Sequence, residues 1–352
     1  MSSIPEQYAS STITASMPLV QIHGIDDVRL DTVAKPVCGE NDVLVAVQNC
    51  GICGSDLGYI AMGGLLGPGK PMPLGHEMSA RVLEVGKGVS GVSIDDRVVI
   101  NPMEVDPPIG NMGSEGGFAP YLLVRDVASH PEALHAIPDS LDDEQAALVE
   151  PLSVGMHGVH RGEVTANDKV VVFGAGTIGL SIAMVLLHYQ VKDVVIVDTS
   201  KPRLVKAAEL GLHTHCVGEG DLSAFLQQHH GSVSSYGMPI PATDVYLEAT
   251  GVGAVFEQMV SLAKTQARLV VVGVHKAPAA IDLVSVLSKE LSIRGAMAYP
   301  DEFPAVIDML ASASFDPAHL ITHRYPLSQF HDALAMARDT EQAVKVMIDC
   351  QG

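Results

Sequence analysis

The sequence predicts an α/β chain in two parts, a mostly β unit followed by a doubly wound parallel sheet. Three observations carry this. Up to about residue 150, short runs of β-formers are broken by Gly and Pro. From about Val170, apolar runs of strand length alternate with helical stretches. A G-x-G-x-x-G pattern then sits where the first of those strands meets its helix.

In the first part the strand candidates are "DVLVAVQ" (42–48), "SARVLEVG" (79–86), "DRVVI" (96–100) and "GGFAPYLLV" (116–124). In the second they are "KVVVF", "DVVIVD", "TDVYLEAT" and "ARLVVVG", with helical stretches such as "KPRLVKAAELG" between them. Residues 170–187, "VVVFGAGTIGLSIAMVLL", lack any charge over a length that would span a bilayer. Glycines cluster in their first half behind a strand-like run, so a buried strand, turn and helix are expected instead. Residues 231–242, "GSVSSYGMPIPA", read as a surface loop. The adjacent His229–His230 pair is read as solvated side chains at a polar helix end and not as a metal site. After about residue 300, "EFPAVIDML" and "LSQFHDALAMA" predict amphipathic helices and "AVKVMI" a terminal strand.

At 352 residues and 47% hydrophobic content the chain can bury two cores. Its formal net charge of −20 speaks against nucleic acid as a partner, because phosphate binding needs surplus Lys and Arg. Five scattered cysteines (38, 50, 53, 216, 350) do not form a disulfide framework, and a reducing, cytoplasmic compartment is expected. Met1–Met17 lacks a basic segment followed by an apolar one and reads as a loose extension, not a signal peptide.

In "VVFGAGTIGL", Gly174, Gly176 and Gly179 permit a tight turn, close approach to a pyrophosphate, and close helix–strand packing. Thr177 and Ile178 lie inside the same turn. Asp198 follows Gly179 by nineteen residues at the end of "DVVIVD", where its carboxylate can accept hydrogen bonds from a ribose diol and would repel a 2′-phosphate. This is a Rossmann dinucleotide-binding unit, with NAD favoured over NADP. Lys201 and Arg203 blunt that preference.

"NCGICGSDLGY" (49–59) places Cys50 and Cys53 as C-x-x-C, which suits a redox dithiol, half of a structural zinc knot, or one catalytic metal ligand beside a bystander. "PLGHEM" adds His76 and Glu77. "LVEPLSVG" adds Glu150, an acid in an apolar run that is costly to bury without a partner. Alcohol oxidation needs the hydroxyl proton removed, and a zinc ion held by Cys, His and Glu with one open position supplies the necessary Lewis acidity.

Together "CGICGSD", "GHEMSARVLEVGKGV", "GGFAPY", "EPLSVGMHG", "GAGTIG", "EATG" and "VVVGV", in this order, resemble the zinc-dependent medium-chain dehydrogenases over essentially the whole chain. The likeness is to the sorbitol, 2,3-butanediol and threonine 3-dehydrogenase branch. The resemblance implies a GroES-like catalytic domain over 1–160, to which 300–352 return, and a Rossmann domain over 161–299. It implies Cys53, His76 and either Glu77 or Glu150 as zinc ligands, with Cys50 a bystander. It further implies that Asp56 orients His76 and that Ser55 takes the substrate's hydroxyl proton. Tyr59, Glu150 and Tyr299 would face the substrate, and Arg203, Thr250, Val272 and Val274 would join the glycine turn around the cofactor. Homodimers or homotetramers built edge to edge through the Rossmann sheets are also implied.

The chain departs from the family in four places, one of them the small change of Ala80 where Gly is usual. Residues 101–115, "NPMEVDPPIGNMGSE", hold no Cys where relatives carry a structural-zinc lobe, so one zinc per chain is expected. Gly58 stands where many members place a relay His. Ala298 replaces a polyol-binding Arg, which favours a less hydroxylated substrate. The sequence reading is therefore an NAD- and zinc-dependent dehydrogenase of a secondary alcohol or vicinal diol. A polyol or L-threonine is the alternative substrate, and a non-catalytic nucleotide-binding relative is the rival from outside the class.

Overall fold

A computed structural model describes residues 15–352 except Pro68 and Tyr236. The chain opens with β1 (Ser16–Gly24), β2 (Asp27–Ala34), β3 (Val43–Gly51), α1 (Gly54–Met62), β4 (Met72–Pro73) and β5 (Glu77–Val85). After β6 (Arg97–Ile100), β7 (Tyr121–Val124) and β8 (Leu134–Ala136), the helices α2 (Asp143–Ala147) and α3 (Val149–Arg161) lead into the second sheet. That sheet begins with β9 (Lys169–Phe173), α4 (Thr177–His188), β10 (Asp193–Asp198), α5 (Lys201–Glu209), β11 (His213–Cys216) and α6 (Leu222–His230). A hairpin of β12 (Ser232–Ser235) and β13 (Met238–Pro241) precedes β14 (Val245–Glu248), α7 (Gly253–Leu262), β15 (Arg268–Val271), α8 (Leu283–Ser288) and β16 (Ser292–Gly295). The chain closes with α9 (Glu302–Ser312), β17 (Ile321–Pro326), α10 (Phe330–Arg338) and β18 (Lys345–Asp349).

The doubly wound unit expected from strand–helix alternation is present as a six-stranded parallel sheet in the order β11-β10-β9-β14-β15-β16. Its strands read as continuous apolar runs because both faces are covered. β9 sends Val170 and Val172 to the core under α3, α4 and α9, and Val171 and Phe173 to the core under α6 and α7. The strand order reverses at β9 and β14, so a crevice forms outside their carboxyl ends. The turn after β9 and the Thr250 segment after β14 both open there.

A seven-stranded sheet runs β17-β18-β3-β5-β6-β8, with β7 also on β3, and β2-β1-β4 form a separate antiparallel sheet. β18 enters between β17 and β3, parallel to the first and antiparallel to the second. This brings Lys345, at the far end of the sequence, next to the turn that leads from β3 into α1.

Three sequence expectations are corrected. Residues 1–14 of the expected loose extension lie outside the described residues, but Ser16 and Met17 open β1, and the Met17 side chain is buried against Leu19 and Ala119. The expected loop at 231–242 contains the β12–β13 antiparallel pair, whose prolines at 239 and 241 are tolerated because it is an exposed two-stranded ribbon. His230 is not solvated. The last turn of α6 points it inward, where Nδ1 meets the Thr243 hydroxyl at 2.8 Å, and burial pushes its pKa down to about 4. His229 instead packs its ring at a tilt against His213 and Phe225. No described helix is long and apolar enough to cross a membrane.

Candidate active site

Cys53 ends the turn after β3 and serves as the residue before the first turn of α1. Its backbone N–H donates to Asp56 Oδ2 at 2.9 Å. The other Asp56 oxygen lies 3.4 Å from His76 Nδ1. One buried carboxylate thus fixes both the Cys53 backbone and the imidazole ring. His76 Nε2 is left facing the Ser55 hydroxyl at 3.3 Å. Cys53, His76 and Glu77 place one donor atom each within 4.8 Å of one another.

Glu77 is not free in this arrangement. Lys345 Nζ donates to both of its oxygens, at 2.7 and 2.5 Å, and to the Ile52 carbonyl at 3.0 Å. Both side chains are 1% exposed. Gly51 makes room for the pair, since a Cβ there would overlap the Glu77 carboxylate. Lys345 was not legible in the sequence. A basic residue in a terminal strand is unremarkable until the strand's neighbour is known.

Glu150 stands in the first turn of α3 and is buried. Burial pushes its pKa up to about 7; His76 opposes the rise, Glu77 adds to it, and the Tyr299 hydroxyl opposes it again. Tyr299 is itself buried, and burial next to Glu150 raises its phenol well above the ordinary range. Tyr59 sits half-buried on α1 against the core of the first sheet. Cys50 faces that core, 0% exposed, and burial raises its thiol well above the usual value, so the dithiol alternative lacks a reactive partner for Cys53.

The donor set suits a divalent cation. Cys53, His76 and Glu77 present their donor atoms together, with Asp56 and Glu150 buried beside them and Lys345 as the buried cation among them. Burial alone would lower the His76 pKa, yet Asp56 and Cys53 raise it well above 6.5. The same anionic surroundings favour a metal ion.

Across a cleft of about 230 Å³, lined in part by Cys53, Leu57, Thr177, Arg203 and Val344, lies the glycine turn. Gly174 adopts φ +103°, and a Cβ on Gly179 would sit on the Gly174 carbonyl oxygen. We expect Gly179→Ala to abolish retention on an immobilised adenine dinucleotide while zinc stays bound; undiminished retention would contradict this role of the turn. Asp198 Oδ2 accepts from the Ala175 N–H at 2.5 Å and Oδ1 from the Ser200 N–H at 2.7 Å, so the carboxylate is held beside the glycine turn. Lys201 is drawn outward to Glu219 at 2.5 Å, and Arg203 donates to the Ala343 carbonyl at 2.8 and 3.1 Å. Thr177 donates its hydroxyl to the Val344 carbonyl at 2.8 Å. Ile178 packs on the core below.

Glu248 supplies a further element the sequence reading passed over, although it lies in the quoted "EATG". Fully buried, it accepts from the Thr250 and Gly251 N–H groups at 2.6 and 2.8 Å and pairs with His275 Nε2 at 2.8 Å. It ties the Thr250 turn to the loop after β15, which carries half-buried Val272 and exposed Val274.

Residues 39–139 match the Alcohol dehydrogenase GroES-like domain family and residues 177–312 the Zinc-binding dehydrogenase family. Sorbitol dehydrogenase of Mus musculus is 33% identical over 348 residues, covering 94% of each chain. (R,R)-butanediol dehydrogenase of Bacillus subtilis (strain 168) is 32% identical over 335 residues, covering 88% of this chain and 93% of its own. The crystal structure of 2R,3R-butanediol dehydrogenase from Bacillus subtilis superposes with a TM-score of 0.85 at 30% identity, covering 95% of this chain and 99% of that one. Two further solved neighbours carry nicotinamide cofactors. An alcohol dehydrogenase from E. coli CFT073 was solved with NADH (26% identity, TM-score 0.83), and a putative zinc-binding dehydrogenase from Sinorhizobium meliloti 1021 with NADP (25% identity, TM-score 0.83). Each comparison covers 95% of this chain and 99% of the other.

Proposed function

This chain belongs to the zinc-dependent medium-chain dehydrogenase family, and on that premise we propose that it oxidises a secondary alcohol or vicinal diol to the ketone, reversibly, with NAD as hydride acceptor. The observation that carries the reading is the convergence of Cys53, His76 and Glu77, with Cys53 lining the same cleft as Gly176 and Thr177 of the glycine turn.

Cys53 and His76 would hold zinc together with Glu77 or Glu150. Bound there, the ion supplies Lewis acidity that makes the substrate hydroxyl more acidic. Asp56 keeps His76 Nδ1 occupied, so that Nε2 faces the site. Ser55 Oγ, beside Nε2, would accept the hydroxyl proton and release its own outward, and a nicotinamide bound at the glycine turn would accept the hydride from the carbinol carbon. Tyr299 and Glu150 form one wall of the substrate pocket, and Tyr59 is assigned to another. Gly174, Gly176, Thr177, Ile178 and Gly179 bind the pyrophosphate, while Thr250, Val272 and Val274 line the nicotinamide end. Asp198 supports NAD over NADP: its carboxylate is held beside the glycine turn, and the nearby cations Lys201 and Arg203 are engaged with Glu219 and Ala343.

One zinc per chain is proposed, since residues 101–115 contain no cysteine. A homodimer, or a pair of dimers, is proposed because β16 is the outer strand and Leu283, Val284, Leu287 and Met297 beside it are exposed. A monomeric mass in solution would contradict it. All five cysteines are unpaired, which supports a cytoplasmic location that cell fractionation can check.

The 33% identity to a sorbitol dehydrogenase favours a polyol as the second reading, whereas Ala298 in place of a guanidinium weighs against it. Initial rates of NADH and NADPH formation over diols, polyols, secondary alcohols and L-threonine decide between them. The proposal expects a diol or simple secondary alcohol with NAD to give the highest kcat/KM. A polyol or NADP preference would overturn the corresponding part.

A further inference from the structure

We infer that Glu302 is a positioning residue for the substrate side of this site: it clamps the segment carrying Tyr299 onto the helix carrying Glu150. The inference rests on the dehydrogenase reading above and deepens it.

Glu302 opens α9 and is buried. Its Oε1 accepts from His157 Nδ1 at 2.8 Å and from His160 Nδ1 at 3.1 Å, and its Oε2 accepts from the Asp301 N–H at 3.1 Å. His160 Nε2 in turn accepts from the Tyr189 hydroxyl at 2.9 Å, at the end of α4. The network is self-consistent when both histidines carry their proton on Nδ1. Two imidazoles on one helix therefore converge on a single carboxylate oxygen of another helix.

The two histidines are not placed arbitrarily. His157 lies two turns beyond Glu150 on α3 and so shares its face. Tyr299, three residues before Glu302, is buried in one core with Val149 and Leu152, which flank Glu150 at the start of that helix. At its other end, Arg161 Nε donates to the Gly295 carbonyl at 2.9 Å and Arg294 to the Arg161 carbonyl at 3.0 Å. Residues 294–302 are thus closed down on α3 at both ends. Between the fixed ends Ala298 holds φ +52°, a left-handed conformation that a residue with a Cβ keeps only when its surroundings impose it. Tyr299 follows it directly, with its ring 5.1 Å from that of Phe303. Loss of the Glu302 carboxylate would release α9 from both histidines and let Tyr299 move away from Glu150.

The test compares Glu302→Ala, Glu302→Gln and wild type as zinc-loaded full-length protein with NAD and 2,3-butanediol. For Glu302→Ala we expect the diol KM to rise about tenfold, with the NAD KM, kcat and zinc content each within about threefold of wild type. Glutamine keeps an acceptor oxygen for the histidine N–H groups and should restore most of the loss. Hydrogen exchange on the same proteins should show faster exchange in Glu302→Ala at residues 294–303 and at the facing turns of α3, whether or not the diol turns over. A lowered melting temperature with unchanged diol KM and unchanged exchange at 294–303 would overturn the inference, as would an equal rise in both KM values. A wild-type protein that oxidises no alcohol would sink the dehydrogenase reading instead, and the exchange pattern would still decide the clamp.

Discussion

Cys53→Ser should strip the bound zinc and lower NAD-dependent alcohol oxidation by about a hundred- to a thousandfold, while Cys50→Ser should leave zinc content and kcat nearly unchanged. The factor follows from the several kcal/mol of charge stabilisation that a bound metal contributes in the transition state. The contrast follows from geometry. Cys53 heads α1 with its donor atom within 4.8 Å of those of His76 and Glu77. Cys50 points the other way from β3 into the core formed with Met78 and Phe118. Burying a serine hydroxyl at Cys50 should cost about 1–3 kcal/mol of stability without touching the site. Metal analysis and initial rates on both variants check it. Equal losses in the two would restore the dithiol, and an active, zinc-bearing Cys53→Ser would remove Cys53 from the ligand set.

Lys345→Met should destabilise the metal-free protein by about 3–5 kcal/mol, because it leaves Glu77 buried without its counter-charge. The pair is enclosed on all sides, and Lys345 makes three hydrogen bonds, two to Glu77 and one to the Ile52 carbonyl. Adding zinc should recover part of the loss, since the released carboxylate can turn to the cation and ligand binding stabilises the folded state by mass action. Replacing both partners, as Lys345→Met with Glu77→Leu, should recover stability in the metal-free protein and remove the extra stabilisation that zinc gives the single variant. Denaturation midpoints with and without zinc read all three outcomes. A single variant as stable as wild type, with or without metal, would show that the pair is not the constraint described here.

What the sequence revealed of this site is local in the chain. The glycine turn and Asp198 at the end of its strand announce themselves by spacing within one strand–turn–helix unit, whereas Cys53, His76 and Glu77 stand out through short local motifs that resemble those of a known family. The fold class was legible for the same reason, since buried parallel strands read as apolar runs. The pairs that set the geometry were not legible. Lys345 meets Glu77 across 268 residues of chain because β18 slots beside β3, and Glu302 meets His157 across 145. Neither strand pairing nor helix crossing leaves a trace in composition at one position. The β12–β13 ribbon and the inward turn of His230 were missed because Ser, Pro, Gly and His are read as solvent-facing by type, whereas burial is decided by which neighbour lies opposite.

Zinc per chain measured by elemental analysis, with NADH formation followed on the same sample, tests most directly whether Cys53 and His76 hold a catalytic metal. About one zinc per chain, with turnover of a diol or secondary alcohol that a chelator abolishes and zinc restores, is the predicted result. No zinc and no turnover after zinc has been offered back would contradict the account and leave the Cys53 cluster as inherited architecture.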